Sequence, residues 1–289
     1  MPDKPVILIT GANGQLGRSF QSLAAAFTDF RFIFLSREDL PIHHFELVRN
    51  FFKAYQPTFC VNCAAYTAVD RAETEPELAA LVNTEAVGVL ATVCKDFSTR
   101  FIHISTDYVF DGQSPEPYKE TDPVNPVNTY GRTKSEGEIR CGQANPDAII
   151  IRTAWVYSEF GNNFVKTMLR LMAERPSINV VNDQVGAPTY AVDLAAAILQ
   201  LIQSGHWHPG IYHYSNQGRI SWYDFAVAIR NLTASTCTVN PIPTSQYPTP
   251  AKRPAFSLLD TTKIRTVYQL TIPEWQESLK TCLHKLSHS

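Results

Sequence analysis

Tyr130 and Lys134 stand four residues apart in the run Tyr-Gly-Arg-Thr-Lys, a spacing that puts a phenol and an ammonium on one face of a helix. A free tyrosine titrates near ~10, too high for a good proton shuttle at neutral pH. A neighbouring ammonium stabilises the phenolate and lowers that value, so the pair reads as a proton donor with an electrostatic partner. Two residues at this spacing are common by chance, and their company decides the matter. Ser105-Thr106-Asp107 comes shortly before them, with a Thr106 hydroxyl able to hydrogen-bond a reacting oxygen and the Asp107 carboxylate beside it. Thr106, Tyr130 and Lys134 form the candidate catalytic set.

A second constellation lies at the start of the chain. Thr10-Gly11-Ala12-Asn13-Gly14-Gln15-Leu16-Gly17 carries a G-x-x-G-x-x-G pattern between an apolar run and a helical one. Such glycines permit a tight turn and let backbone N–H groups approach a pyrophosphate, while the helix N-terminus adds its partial positive charge. The run therefore reads as a dinucleotide-binding loop. The next apolar run ends Leu35-Ser36-Arg37, where an acidic residue would favour NAD. Ser36 removes that carboxylate and Arg37 supplies a cation for a 2′-phosphate, which leans toward NADPH with NADH also usable. Glu38 and Asp39 follow at once, so a solvated surface Arg37 is the competing reading.

These residues need a frame that brings them to one edge. Short β-branched or aromatic runs over 6–10, 31–36, 59–64, 101–105 and 148–153 alternate with helical patterns over 16–26, 45–55, 77–94 and 129–142. That alternation predicts an α/β, Rossmann-type, doubly wound parallel sheet with right-handed crossovers. Sheets of this kind bind ligands outside the carboxyl ends of their strands, which is where Gly11–Gly17, Ser36, residues 64–70, Thr106 and Trp155 fall. Most of the 19 prolines fall after residue 114, and the second half changes character. It has short strands over 178–181, 211–214 and 238–242 and helices over 164–173, 192–203, 222–232 and 273–286. Residues 1–157 are thus expected to form the cofactor-binding domain, with 188–215 returning to it, and 158–289 a smaller α+β substrate-binding region.

Composition removes several classes of function. Hydrophobic residues are 44% and charged residues 18%, as in an ordinary globular core, and a net charge of −2 offers no field for nucleic acid. No apolar run approaches the ~20 residues of a membrane span, and the start reads as a first strand, not a signal peptide. Cys60 and Cys63 form a C-x-x-C inside an apolar segment with no second Cys or His pair nearby. The six cysteines read as free thiols of a reducing, cytoplasmic compartment. Among eight histidines only His43 and His44 are adjacent, so no metal is expected.

The sequence resembles the extended short-chain dehydrogenases and, within them, the dTDP-4-dehydrorhamnose reductases. The runs that carry the resemblance span nearly the whole chain: GANGQLG, NCAAYTAVDRAE, STDYVFDG, NTYGRTKSEGE, RTAWVYS, GNNFVKTMLRL, NDQVGAPTY and YPTPAKRPAFSLLD. The resemblance implies NAD(P)H-dependent reduction of the C4 ketone of a nucleotide-linked sugar, dTDP-4-dehydro-L-rhamnose. It makes Tyr130 the proton donor and Lys134 its partner and ribose ligand. Gly14, Gln15 and Leu16 would contact pyrophosphate, and Ala64, Ala65, Tyr66 and Thr67 would line the nicotinamide side. Thr106 and Asp107 would orient substrate, with Trp155 packed on it. Arg253 stands between a contact to the substrate diphosphate and a capping or surface role. Some relatives bridge dimers through magnesium held by carboxylates after the glycine loop and after the GAPT run. Arg18-Ser19-Phe20 and Tyr190-Ala191-Val192 have none, so a monomer or a weak metal-independent homodimer is expected. Two alternatives stay open: another nucleotide-sugar reductase or epimerase of the same fold, and a non-catalytic subunit like that of methionine adenosyltransferase.

Overall fold

Strands buried on both faces need apolar residues throughout, and Val6-Ile7-Leu8-Ile9 supplies them. Ile7 and Ile9 face one side of the sheet and Leu8 the other, as a period of two requires. A computed structural model describes residues 4–288. The chain opens with β1 (Val6–Thr10), α1 (Gln15–Leu23), β2 (Arg31–Leu35), α2 (Phe45–Tyr55) and β3 (Phe59–Asn62). Next come α3 (Val69–Ala72), α4 (Pro76–Ala80), a π-helical stretch (Leu81–Glu85) and α5 (Ala86–Asp96). β4 (Arg100–Thr106), α6 (Thr129–Ala144) and β5 (Ile149–Thr153) complete the first half.

The second half runs through β6 (Val156–Tyr157), α7 (Phe164–Glu174), β7 (Ser177–Val181), β8 (Val185–Gly186) and β9 (Thr189–Tyr190). It continues with α8 (Ala191–Gln203), β10 (Gly210–Tyr214), β11 (Ile220–Ser221) and α9 (Trp222–Leu232), and ends with β12 (Thr238–Ile242), α10 (Thr262–Tyr268) and α11 (Trp275–Ser287).

Six strands form one parallel sheet in the order β10-β5-β4-β3-β1-β2. The chain lays β2 on one side of β1 and β3 on the other, so the order reverses there. A crevice opens at such a switch point. One face packs Phe20 of α1 against Leu194 and Ile198 of α8; the other packs Val48 and Phe52 of α2 against Leu90 of α5. Fully burying one such side chain contributes about 1.5–3 kcal/mol. A separate apolar cluster (Val165, Met168, Phe225, Trp275, Leu279) lies beneath the parallel β7–β12 pair.

Two details differ from the sequence reading. The helix expected over 77–94 is broken by the π-helical stretch, which turns Asn83 and Thr84 inward against α6. Extra-residue turns of this kind are common beside functional sites. The continuous helical run Pro76–Asp96 is also long and apolar enough, by length and composition, to cross a membrane, contrary to the expectation that no run approaches that length. Its residues Val87, Leu90, Val93 and Cys94 are buried in the sheet core, as in a core helix.

Candidate active site

The glycine loop joins β1 to α1 at the switch point. Gly11 has φ +66°, and a Cβ there would lie 2.6 Å from Ala64 N, so a side chain is excluded by both conformation and space. The N-terminus of α1 is uncapped by any side chain and carries no acidic residue in its first turn. Its backbone N–H groups and dipole therefore fit the pyrophosphate of a dinucleotide. Gln15 is tied elsewhere: its Oε1 accepts from Ser158 Oγ (3.0 Å) and Asn163 Nδ2 (2.9 Å), and its Nε2 donates to Val156 O (3.3 Å). That side chain fastens the loop to the second half, leaving the backbone to face a ligand.

After β2, Ser36 N–H donates to Asp39 Oδ2 at 2.8 Å, folding the acidic neighbour back onto the turn. Hydrogen bonds from Ser36 hold the Glu38 and Asp39 carboxyls below their usual range, and Arg37 is exposed beside them. Residues 64–67 follow β3 at the same edge of the sheet, with Tyr66 fixed twice. Its N–H donates to Asn83 Oδ1 (2.9 Å) and its hydroxyl to Glu75 Oε2 (2.6 Å).

The corner that holds Thr106, Asp107 and Tyr130 is built where β4 meets α6. Thr106 is buried and donates to Asp107 Oδ1 at 3.0 Å, while Asp107 Oδ2, also buried, makes no hydrogen bond of standard geometry. Burial pushes the Asp107 carboxyl up to about 6, against the pull of the Ser257 and Thr106 hydroxyls and nearby backbone amides. Asn128 caps α6 through Gly131 N–H (2.7 Å), and Glu73 accepts from Thr129 N (2.8 Å) and Oγ1 (3.0 Å). A Cβ on Gly131 would lie 2.1 Å from Tyr108 O, so glycine after Tyr130 lets the helix close on the strand end. The rings of Tyr108 and Tyr130 meet edge to face, centroids 5.5 Å apart.

Burial pushes the Tyr130 phenol up to about 12; hydrogen bonding from Thr106 opposes the rise and the charge of Asp107 adds to it. The expectation that Lys134 holds this phenol down is not met. Lys134, only 1% exposed, points under the strand, with Nζ 2.7 Å from Ile104 O and 3.4 Å from His103 Nε2.

Trp155 leaves β5 with φ +47°, a strained conformation for a bulky residue, and stacks on Trp222 at 3.6 Å. Arg253 is bound as a fork by Asp70, at 2.7 and 2.8 Å, and it also donates to Ala251 O at 2.7 Å. Trp222, Asp70, Glu73 and Ser257 escape the sequence reading as site residues. Asp70 and Glu73 lie in the DRAE run, which carries the signal. Among the described residues no group of three or more His, Cys, Asp or Glu side chains could hold a metal. The first carboxylate after the GAPT run, Asp193, accepts from Asn216 Nδ2 (2.7 Å) and Ser278 Oγ (2.5 Å). All six cysteines are free.

A parallel doubly wound sheet with a glycine loop after its first strand, and a Thr–Tyr–Lys set where β4 meets α6, defines a Rossmann-type fold of the extended short-chain dehydrogenase class. The chain belongs to the RmlD substrate binding domain family, whose model matches residues 5–288. It is 42% identical over 284 residues to a dTDP-4-dehydrorhamnose reductase of Aggregatibacter actinomycetemcomitans, covering 95% of this chain and 97% of that one. The crystal structure of a dTDP-4-dehydrorhamnose reductase from Clostridium acetobutylicum is similar, with a TM-score of 0.93 at 42% identity, covering 98% of this chain and 99% of that one. Another from Bacillus anthracis, in complex with NADP, has a TM-score of 0.94 at 36% identity, covering 98% and 100%.

Proposed function

We propose that the protein reduces the C4 ketone of dTDP-4-dehydro-L-rhamnose to dTDP-L-rhamnose, using NADPH and accepting NADH. The observation that carries this reading is the match over 95% of the chain to a named reductase at 42% identity. The buried Thr106–Tyr130 corner at the sheet's edge is the chemistry such a reductase needs.

Bound NADPH supplies the hydride; the proton, the orientation and the exclusion of water fall to the chain. Gly11, Gly14, Gln15, Leu16 and Gly17 would hold the pyrophosphate, Ser36 and Arg37 the 2′-phosphate, and Ala64, Ala65, Tyr66 and Thr67 the nicotinamide side. Tyr130, its phenol pushed up to about 12, carries its proton at neutral pH. As negative charge develops on the ketone oxygen, Tyr130 Oη protonates it while the Thr106 hydroxyl holds it in place. Lys134 would meet the ribose, and it contributes positive charge only below the pH at which it loses its proton. Asp107 accepts a sugar hydroxyl, Trp155 packs on the sugar, and Arg253, oriented by Asp70, meets the diphosphate.

On this reading residues 1–157, with 188–215, serve the cofactor and 158–289 mainly the substrate. The enzyme works in the cytoplasm as a monomer or weak metal-independent homodimer. The test supplies dTDP-4-dehydro-L-rhamnose, generated in a coupled reaction, and follows NADPH absorbance. Turnover with this sugar and none with 4-keto sugars of other configuration is expected; turnover of another nucleotide sugar in its place would overturn the assignment.

A further inference from the structure

A buried hydrogen-bonded chain crosses the sheet from the glycine-loop strand to the lysine. Thr10 Oγ1 donates to Asn62 Oδ1 (2.6 Å), and Ala64 N–H donates to the same oxygen (3.2 Å). Asn62 Nδ2 meets His103 Nδ1 at 3.1 Å, and His103 Nε2 meets Lys134 Nζ at 3.4 Å. Asn62 and His103 are fully buried, so no water completes their valences from outside.

The direction of each bond follows from one fixed donor. A backbone N–H can only donate, so Ala64 identifies the Asn62 atom facing it as oxygen. The Asn62 amide nitrogen then faces His103 Nδ1 and must donate to it. A neutral imidazole that accepts at Nδ1 carries its proton on Nε2. That proton points at Lys134 Nζ, which also donates to Ile104 O at 2.7 Å. An ammonium there would set two donors face to face; an amine offers a lone pair. Asn62 cannot lose a proton to relieve the conflict, and Lys134 can.

We propose that His103, its proton held on Nε2 by Asn62, is a positioning residue that disfavours the ammonium form of Lys134 and sets the pH at which that residue changes charge. The other groups around the lysine do not reverse this. On its own helix lie Tyr130, Glu138 and Cys141, at the end of β3 Cys63, and on β4 His103. Glu138 is the one carboxylate among them, and it is bound by Arg152 (2.7 Å) and Ser105 (2.5 Å). Burial and the lysine's charge hold His103 well below its usual range, so it is neutral. Burial lowers Lys134 to about 8, against the pull of Glu138, Cys141 and Cys63. The consequence for turnover rests on the proposed role of Lys134: loss of activity on the alkaline side reports the lysine, not the phenol of Tyr130.

The experiment reads the free protein, so its failure is distinct from that of the substrate assignment. Long-range ¹H–¹⁵N spectra of ¹⁵N-histidine protein give the His103 tautomer, and ¹³C-lysine spectra, assigned with Lys134→Met, give the Lys134 midpoint. A proton on Nε2 and a midpoint well below that of surface lysines are expected. His103→Gln offers the ammonium a carbonyl and should raise the midpoint by about one pH unit or more. Asn62→Asp should move the His103 proton to Nδ1 and raise the midpoint as well. A merely structural role would move neither reading. A wild-type proton on Nδ1, an ordinary lysine midpoint, or an unmoved midpoint in a folded variant overturns the proposal. Should a variant fail to fold, the wild-type tautomer and midpoint decide it.

Discussion

Replacing Asp107 with asparagine should make the protein more stable at neutral pH and a poorer enzyme. The carboxyl is 1% exposed and its Oδ2 is without a standard hydrogen bond. Burial moves its midpoint from the ordinary 3.8 to about 6. A carboxyl whose folded midpoint is raised binds its proton more tightly in the folded state. Stability from this group is therefore complete below about 4 and is lost as pH rises through about 6. Two pH units at 1.36 kcal/mol each give a cost of roughly 3 kcal/mol at pH 7. The Asp107→Asn variant would not carry that cost, although an imperfectly paired amide returns part of it. For a chain of this size the gain corresponds to a rise in Tm of about 5 °C or less. Thermal melts of both proteins between pH 4 and 7.5 should show curves that coincide at the acid end and diverge through pH 5–6. In the same samples kcat/KM should fall about tenfold, because a hydrogen bond to a charged acceptor is lost. Parallel melting curves across the whole range, or a variant less stable at pH 7, would show that the buried carboxyl carries no such cost.

Tyr130→Phe removes the proposed proton donor and should lower kcat by roughly 10²–10⁴ while leaving NADPH affinity almost unchanged, as fluorescence titration would show. Arg37→Ala should weaken NADPH by about 1–3 kcal/mol and spare NADH; equal losses for both cofactors would reject a 2′-phosphate contact. Because Asp193 is bound internally by Asn216 and Ser278, excess EDTA should change neither activity nor mass by light scattering. A halving of mass on chelation would contradict this.

The sheet can be read in advance because strands buried on both faces are short, β-branched and mostly apolar runs between turn residues, as Val6–Thr10 and Ile149–Thr153 are. Four of the site's segments follow such strands directly, so Gly11, Ser36, Thr106 and Trp155 fall at one edge once the strands are parallel. Contacts between residues far apart in sequence are not legible. Asp70 and Arg253 are separated by 183 positions, and nothing local to either announces the pair. Trp222 follows a two-residue strand, too short for any periodicity to mark, and reaches Trp155 only through the packing of the second half. The direction of Lys134 escapes the sequence for a related reason. Helical spacing puts it on one face with Tyr130, yet the carbonyl of Ile104 and the ring of His103, both on β4, draw its Nζ under the strand.

The proposed reaction delivers hydride to C4 of a dTDP-linked keto sugar with Tyr130 as the acid. Its most direct test uses NADPH deuterated at the transferred position, dTDP-4-dehydro-L-rhamnose and the purified protein, with the product read by NMR. One deuterium at C4 of dTDP-L-rhamnose, formed by wild type and almost abolished in Tyr130→Phe, is the expected result. Deuterium at another carbon, no oxidation of NADPH, or full turnover by the phenylalanine variant would contradict it.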